Sequence, residues 1–209
     1  MSASTGRPTS TVRFRASDGA ELVGDLVVPA HATVAAIICH PHPQFGGDRF
    51  NHVVAAIFDR LPTAGIAALR FDFRDDFTGG VGERLDALAA LDHLASELPE
   101  AALVAIGYSF GAMVALGAAD PRLCALALVA PPLAMAPAVA SPQMPTLVLT
   151  PAHDQFSAPT ANEPIVGHWP DVDHRVVAMA DHSLVGHTAS VADQVVAWLS
   201  GRRLLPSPL

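Results

Sequence analysis

Residues 101–119 read AALVAIGYSFGAMVALGAA. Residues 101–106 are an apolar run of strand length, and residues 112–119 are alanine-rich and favour helix. Between them stands Gly107-Tyr108-Ser109-Phe110-Gly111. The order is strand, sharp turn, helix, with a serine at the turn. The flanking glycines have a physical job. A serine on so tight a turn sits in a strained backbone, and larger neighbours would collide with it. Its oxygen then projects above the strand ends, close to the unpaired N–H groups with which a helix begins.

Working outward, residues 11–16 and 21–28 alternate about the turn Ser17-Asp18-Gly19, which predicts a hairpin. Residues 34–39, 66–71, 123–129, 146–149 and 174–179 are expected as further strands. Residues 51–61, 83–98, 188–199 and a short piece at 159–166 are expected as helices. Strands that alternate with helices predict an α/β class protein with a mostly parallel sheet of about eight strands, the opening hairpin adding an antiparallel edge. The length of 209 residues suits one domain, read as 11–200 with tails at 1–10 and 201–209. The stretch 78–82 (TGGVG) reads as a flexible connection into the helix near Glu83.

Hydrophobic residues make up 51% of the chain, enough for strands buried on both faces, yet no apolar run is long enough to span a bilayer. The polar start has no signal-peptide core, so a cytoplasmic location and no membrane partner are expected. The formal charge of −8 argues against nucleic acid as a partner. All basic residues are arginines. Without lysine there can be neither a Walker A loop nor a pyridoxal-phosphate Schiff base, and no cofactor is expected. Cys39 and Cys124 lie in strands that would not be neighbours, so they read as buried, reduced thiols.

A serine hydroxyl needs an adjacent base, and the base an orienting acid. Asp154 follows the strand at 146–149, and His182 follows the last strand. These positions suit an acid and a base for Ser109. His187 is a rival base at the mouth of the last helix, His174 lies at the wrong end of its strand, and Asp181 is too close in sequence to His182 to face it. Two N–H donors should hold a developing oxyanion: Phe110, directly after the serine, and one from His40-Pro41-His42-Pro43-Gln44-Phe45-Gly46-Gly47. Pro41 and Pro43 have no N–H, which leaves His42 first and Gln44 second. His40 and His42 lack a third ligand placed by sequence, so no metal is expected; packing beneath the site is their ordinary role. Phe45, Tyr108, Met135 and His187 are expected to line the substrate.

With these residues in view, the chain resembles the small bacterial α/β hydrolases of the serine-esterase type. The resemblance rests on the GYSFG turn, the HPHP loop followed by Gly46-Gly47, and the run Arg70-Phe71-Asp72-Phe73-Arg74, and it covers roughly residues 12–199. It implies the α/β-hydrolase fold with Ser109, Asp154 and His182 as a triad in that chain order. The implied activity is cleavage of a small or medium carboxylic ester or thioester through an acyl-enzyme. An acyltransferase or peptidase would use the same triad, and a non-catalytic binding protein is the rival of another class. One departure is Asp75-Asp76-Phe77, acidic where such proteins continue with glycines. A cap domain would sit between residues 130 and 145. Pro131, Pro132, Pro137, Pro142 and Pro145 forbid helices of any size there, so no cap is expected, only a short apolar lip carrying Met135 and Met144. Without a cap, short acyl chains or a shallow preference are expected.

Overall fold

The computed structural model describes residues 8–136 and 140–205. Pro137, residues 1–7 of the expected first tail and residues 206–209 of the expected last one lie outside them. Among the described residues eight strands form one sheet: β1 (Ser10–Arg15), β2 (Glu21–Val27), β3 (Val34–Cys39), β4 (Ile66–Phe71), β5 (Ala102–Tyr108), β6 (Leu123–Val129), β7 (Thr146–Pro151) and β8 (Val172–Val177). Their order is β1-β2-β4-β3-β5-β6-β7-β8. The pairs β1–β2 and β2–β4 are antiparallel and the rest parallel.

Five α-helices among the described residues cover the sheet: α1 (His52–Arg60), α2 (Val81–Glu97), α3 (Phe110–Ala118), α4 (Pro159–Val166) and α5 (Thr188–Ser200). Every residue of the central strand β5 is buried. Its alternate side chains feed two cores, as the two-residue period of a strand requires. Val104, Ile106 and Tyr108 meet Ile57 of α1 and Val195 and Trp198 of α5 in one core. Leu103 and Ala105 share the other with Leu91 and Leu94 of α2 and Ala112 and Ala115 of α3. This two-sided burial accounts for the unbroken apolar runs in the sequence.

Four expectations need correction. The last strand spans Val172–Val177 rather than 174–179, because pairing with β7 ends at Pro151–Val177 and Met179 turns to φ 58°. The stretch 78–82 is tied down. The Glu83 carboxylate is fully buried and accepts the N–H groups of Thr78 and Gly80 and the Thr78 hydroxyl, which lets α2 begin at Val81. Burial pushes the Glu83 carboxyl up, but those bonds outweigh it and hold the pKa below the usual value. Cys39 is buried, but Cys124 is only half-buried, with its Sγ against the carbonyls of Arg122 and Leu205. Met144 precedes β7, so it lies at the amino end of the parallel strands, away from the turn at Ser109; Met135 follows β6 and keeps the expected side. Met135 belongs to a single 3-10 turn, Leu133–Met135, and no cap helix stands between β6 and β7 among the described residues.

Candidate active site

The site forms where loops leave the carboxyl ends of β3, β5, β7 and β8, the usual place in a parallel sheet. Ser109 has φ 56° and ψ −119°, a conformation that costs a non-glycine residue about 1–3 kcal/mol. The neighbours hold it there. A Cβ on Gly107 would lie 2.2 Å from the Gly111 carbonyl oxygen, and one on Gly111 would lie 2.2 Å from that of Cys39. The turn therefore has room for nothing larger than glycine at either place, and α3 starts directly over the end of β3. The Ser109 N–H also donates to the Val129 carbonyl at 2.8 Å, which fixes the turn to β6.

Three side chains meet from loops far apart in sequence. Ser109 Oγ lies 2.8 Å from His182 Nε2, and His182 Nδ1 lies 2.7 Å from Asp154 Oδ2. The other Asp154 oxygen accepts the N–H groups of Phe156 at 2.7 Å and Ser157 at 3.0 Å. Its side chain is fully buried, so no solvent competes for the imidazole. With a carboxylate at Nδ1, that nitrogen carries the proton and Nε2 presents a lone pair to the serine. The Tyr108 hydroxyl donates to the His182 carbonyl at 2.7 Å, and a ring nitrogen of His52 meets the Ser183 carbonyl, also at 2.7 Å. The loop that carries His182 is thus anchored from β5 and from α1. Asp181 is occupied with the Ser183 N–H and hydroxyl.

On the other side of Ser109, the Phe110 N–H is the first of α3 and has no acceptor within the helix. The His42 N–H has no acceptor among the described residues either. The Gln44 N–H, in contrast, donates to His42 Nδ1 at 3.3 Å, which favours His42 over Gln44 as a free donor. The His42 ring packs against Phe45, Phe77 and Phe110, and burial among them lowers its pKa. His40 lies beneath. Its Nδ1 sits 2.6 Å from the Pro41 carbonyl, and its Nε2 accepts the Phe73 N–H at 3.0 Å. Both nitrogens are engaged, so this ring has no lone pair left for another ligand.

The structure separates the expected lining residues. Met135 and His42 border a pocket of about 530 Å³ that begins at Phe110. Phe45 is 87% exposed and touches the site through His42. Tyr108 is a correction: it is buried, with its hydroxyl spent on the His182 loop, so it supports the site from below. His187 caps α5, with Nδ1 3.1 Å from the Val185 carbonyl of its own loop, and is not brought to Ser109. Two aromatic residues escaped the sequence reading. Phe77 packs at a tilt against His42 and Phe110 while Asp75 and Asp76 beside it stay exposed, and Phe156 stands edge-on to His182 at 5.0 Å.

Comparison with known proteins supports the architecture. The chain superposes on an α/β serine hydrolase without a lid from Xanthomonas campestris with a TM-score of 0.84, 25% identity and coverage of 96% of this chain and 97% of that one. The fold is that of the lidless α/β hydrolases. A serine hydrolase homologue from Coxiella burnetii gives a TM-score of 0.84 at 25% identity, over 91% of this chain and 97% of that one. A protein of unknown function from Agrobacterium tumefaciens, described as a candidate α/β hydrolase, gives 0.85 at 26% identity over 95% of this chain and 100% of that one. In sequence, an uncharacterised protein of Rickettsia prowazekii is 40% identical over 88 residues; the match spans 39% of this chain and 37% of that protein. No family model matches the chain. No helix among the described residues is long and apolar enough to cross a membrane.

Proposed function

We propose that this lidless α/β hydrolase fold carries a serine hydrolase acting on small or medium carboxylic esters or thioesters. Ser109 Oγ attacks the carbonyl carbon while its proton passes to His182 Nε2. The carbonyl oxygen becomes an anion, and the N–H groups of Phe110 and His42 receive it. The tetrahedral species collapses, the bond to the alcohol or thiol breaks, and the leaving group takes the proton from His182. The acyl group is now on Ser109. Water repeats the sequence: His182 takes its proton, the hydroxyl adds to the acyl carbon, and Ser109 leaves with the proton as the free acid departs. Asp154 keeps His182 in the required tautomer and stabilises the imidazolium.

The observation that carries this reading is the single imidazole bonded at 2.8 Å to a strained serine and at 2.7 Å to a buried carboxylate. Neither bond serves an obvious structural need. The test is labelling with a fluorophosphonate alongside hydrolysis of p-nitrophenyl acetate. Ser109→Ala should lose both while its circular-dichroism spectrum stays that of the wild type. Undiminished labelling in that variant would sink the proposal.

A further inference from the structure

The pocket beside the site has a direction and an end. It is lined by one face of α3, at Phe110, Met113 and Gly117, and by Pro132 and Met135. Phe110 and Gly117 are seven residues apart, which at 1.5 Å per residue is roughly 10 Å along the helix. At the far end lies Arg84 of α2. Its guanidinium rests on Gly117: a Cβ there would stand 2.6 Å from Arg84 Nε and 3.1 Å from Cζ. A side chain at position 117 would displace it.

Among the described residues Arg13, Arg84 and Arg203 pair with no carboxylate, and of these three Arg84 is the one that lines this pocket. Eight arginines pair with carboxylates, in a chain whose formal charge is −8. The Arg84 guanidinium has no carboxylate or hydrogen-bond partner among the described residues; only the backbone N–H of Arg84 is engaged, by the Gly80 carbonyl. The acid next to it in sequence, Glu83, is turned inward and consumed by Thr78 and Gly80. An otherwise apolar trough thus ends in a free guanidinium, whose planar fork suits a carboxylate.

The side of the ester that enters this trough follows from the proton path. The leaving group must lie by His182 to collect its proton. The pocket instead reaches the site at Phe110, next in sequence to Ser109, and at His42, and none of its lining belongs to the His182 loop. The acyl chain is therefore the part that points along α3. Building on the hydrolase reading above, we propose that the preferred substrates are esters or thioesters of acids that carry a second carboxylate, placed about 10 Å from the reacting carbonyl and held by Arg84.

Two eight-carbon substrates test this, p-nitrophenyl hydrogen suberate and p-nitrophenyl octanoate, which differ in a terminal carboxylate against a methyl group. In the wild type at low salt, kcat/KM should favour the suberate by about tenfold or more, the scale of one charge-assisted hydrogen bond. The ratio should fall toward one in 0.5 M salt and in Arg84→Gln, invert in Arg84→Glu, and survive in part in Arg84→Lys. An acetate ester whose alcohol carries the carboxylate should gain nothing from Arg84. A wild-type ratio of one, or an unchanged ratio in Arg84→Gln, overturns the assignment. So does a gain confined to the alcohol-side carboxylate. Ser109-dependent hydrolysis of p-nitrophenyl acetate separates the two ideas. If it is present without discrimination, the Arg84 inference alone fails; if it is absent, the hydrolase reading fails and takes this one with it.

Discussion

His182 and His40 each have both ring nitrogens engaged, yet they are built for opposite ends. His182 spans a hydroxyl and a carboxylate. If it takes the serine proton, the carboxylate is there to stabilise the resulting cation. His40 spans a backbone carbonyl and a backbone N–H. A second proton on that ring would destroy its acceptor and find no carboxylate in contact. Burial alone pushes the His40 pKa down. What an imidazole does is decided by what holds its other nitrogen.

The sharpest test of that contrast sets His182 against the other histidine of the same loop. His187 has its Nδ1 on a carbonyl of its own turn and no carboxylate behind it. His182→Ala should lower kcat by about 10⁴-fold or more, the usual cost of removing a triad base. His187→Ala should cost about tenfold at most, or roughly 1.4 kcal/mol. Stopped assays at pH 7 on variants of wild-type circular dichroism decide it, and the reverse ranking would move the base to His187 and unseat Asp154 as well.

Buried carboxylates repeat the lesson. Asp154 is spent on His182 and two N–H groups. Asp86, fully buried, takes the guanidinium and the N–H of Arg74, which also reaches Asp18. The Arg74 pKa is raised by those two partners, so the cation persists at any working pH. Nothing in the Asp86 cluster faces Ser109, and its work is to join the loop after β4 to α2. Asp86→Ala should therefore cost about 1–3 kcal/mol in urea denaturation, since the buried Arg74 N–H and part of its guanidinium lose their acceptor while Asp18 keeps the cation paired. The folded fraction should keep its kcat. A loss of kcat with unchanged stability would make Asp86 part of the site.

The difference between these carboxylates also explains what was legible in the sequence. The turn at Ser109 could be read because glycine, serine and glycine between a strand and a helix leave few other conformations. Asp154 and His182 could be read because chain order places them at strand ends. Asp86 and Glu83 could not, because on a helix they look like solvated charges; their burial comes from Arg74 and Thr78 in a loop whose path no local pattern encodes. Tyr108 was misplaced for a related reason. Strand alternation puts it on the α1/α5 face, beneath the loop that carries His182, and only the tertiary position of His182 shows what its hydroxyl meets. The strand β8 drifted by two residues because its end is set by pairing with β7 and by the left-handed Met179, not by its own composition.

The remaining test is of His40 itself. His40→Leu keeps most of the packing against Phe73 but leaves the Phe73 N–H without its acceptor. At pH 7 the loss should be about 1–3 kcal/mol, the cost of an unsatisfied buried donor. The pH dependence then has a definite sign. The folded ring has a pKa below the ordinary 6.5, so below that pH the unfolded chain takes up a proton that the folded one resists. The wild-type bond contributes in full above pH 6.5 and less as the pH falls toward the folded value. Leucine cannot titrate, so the variant lacks this component. The stability gap between wild type and His40→Leu, from urea denaturation, should narrow between pH 7 and pH 5. A gap that widens on acidification would mean that the folded state holds His40 as a cation, and the contrast with His182 would collapse.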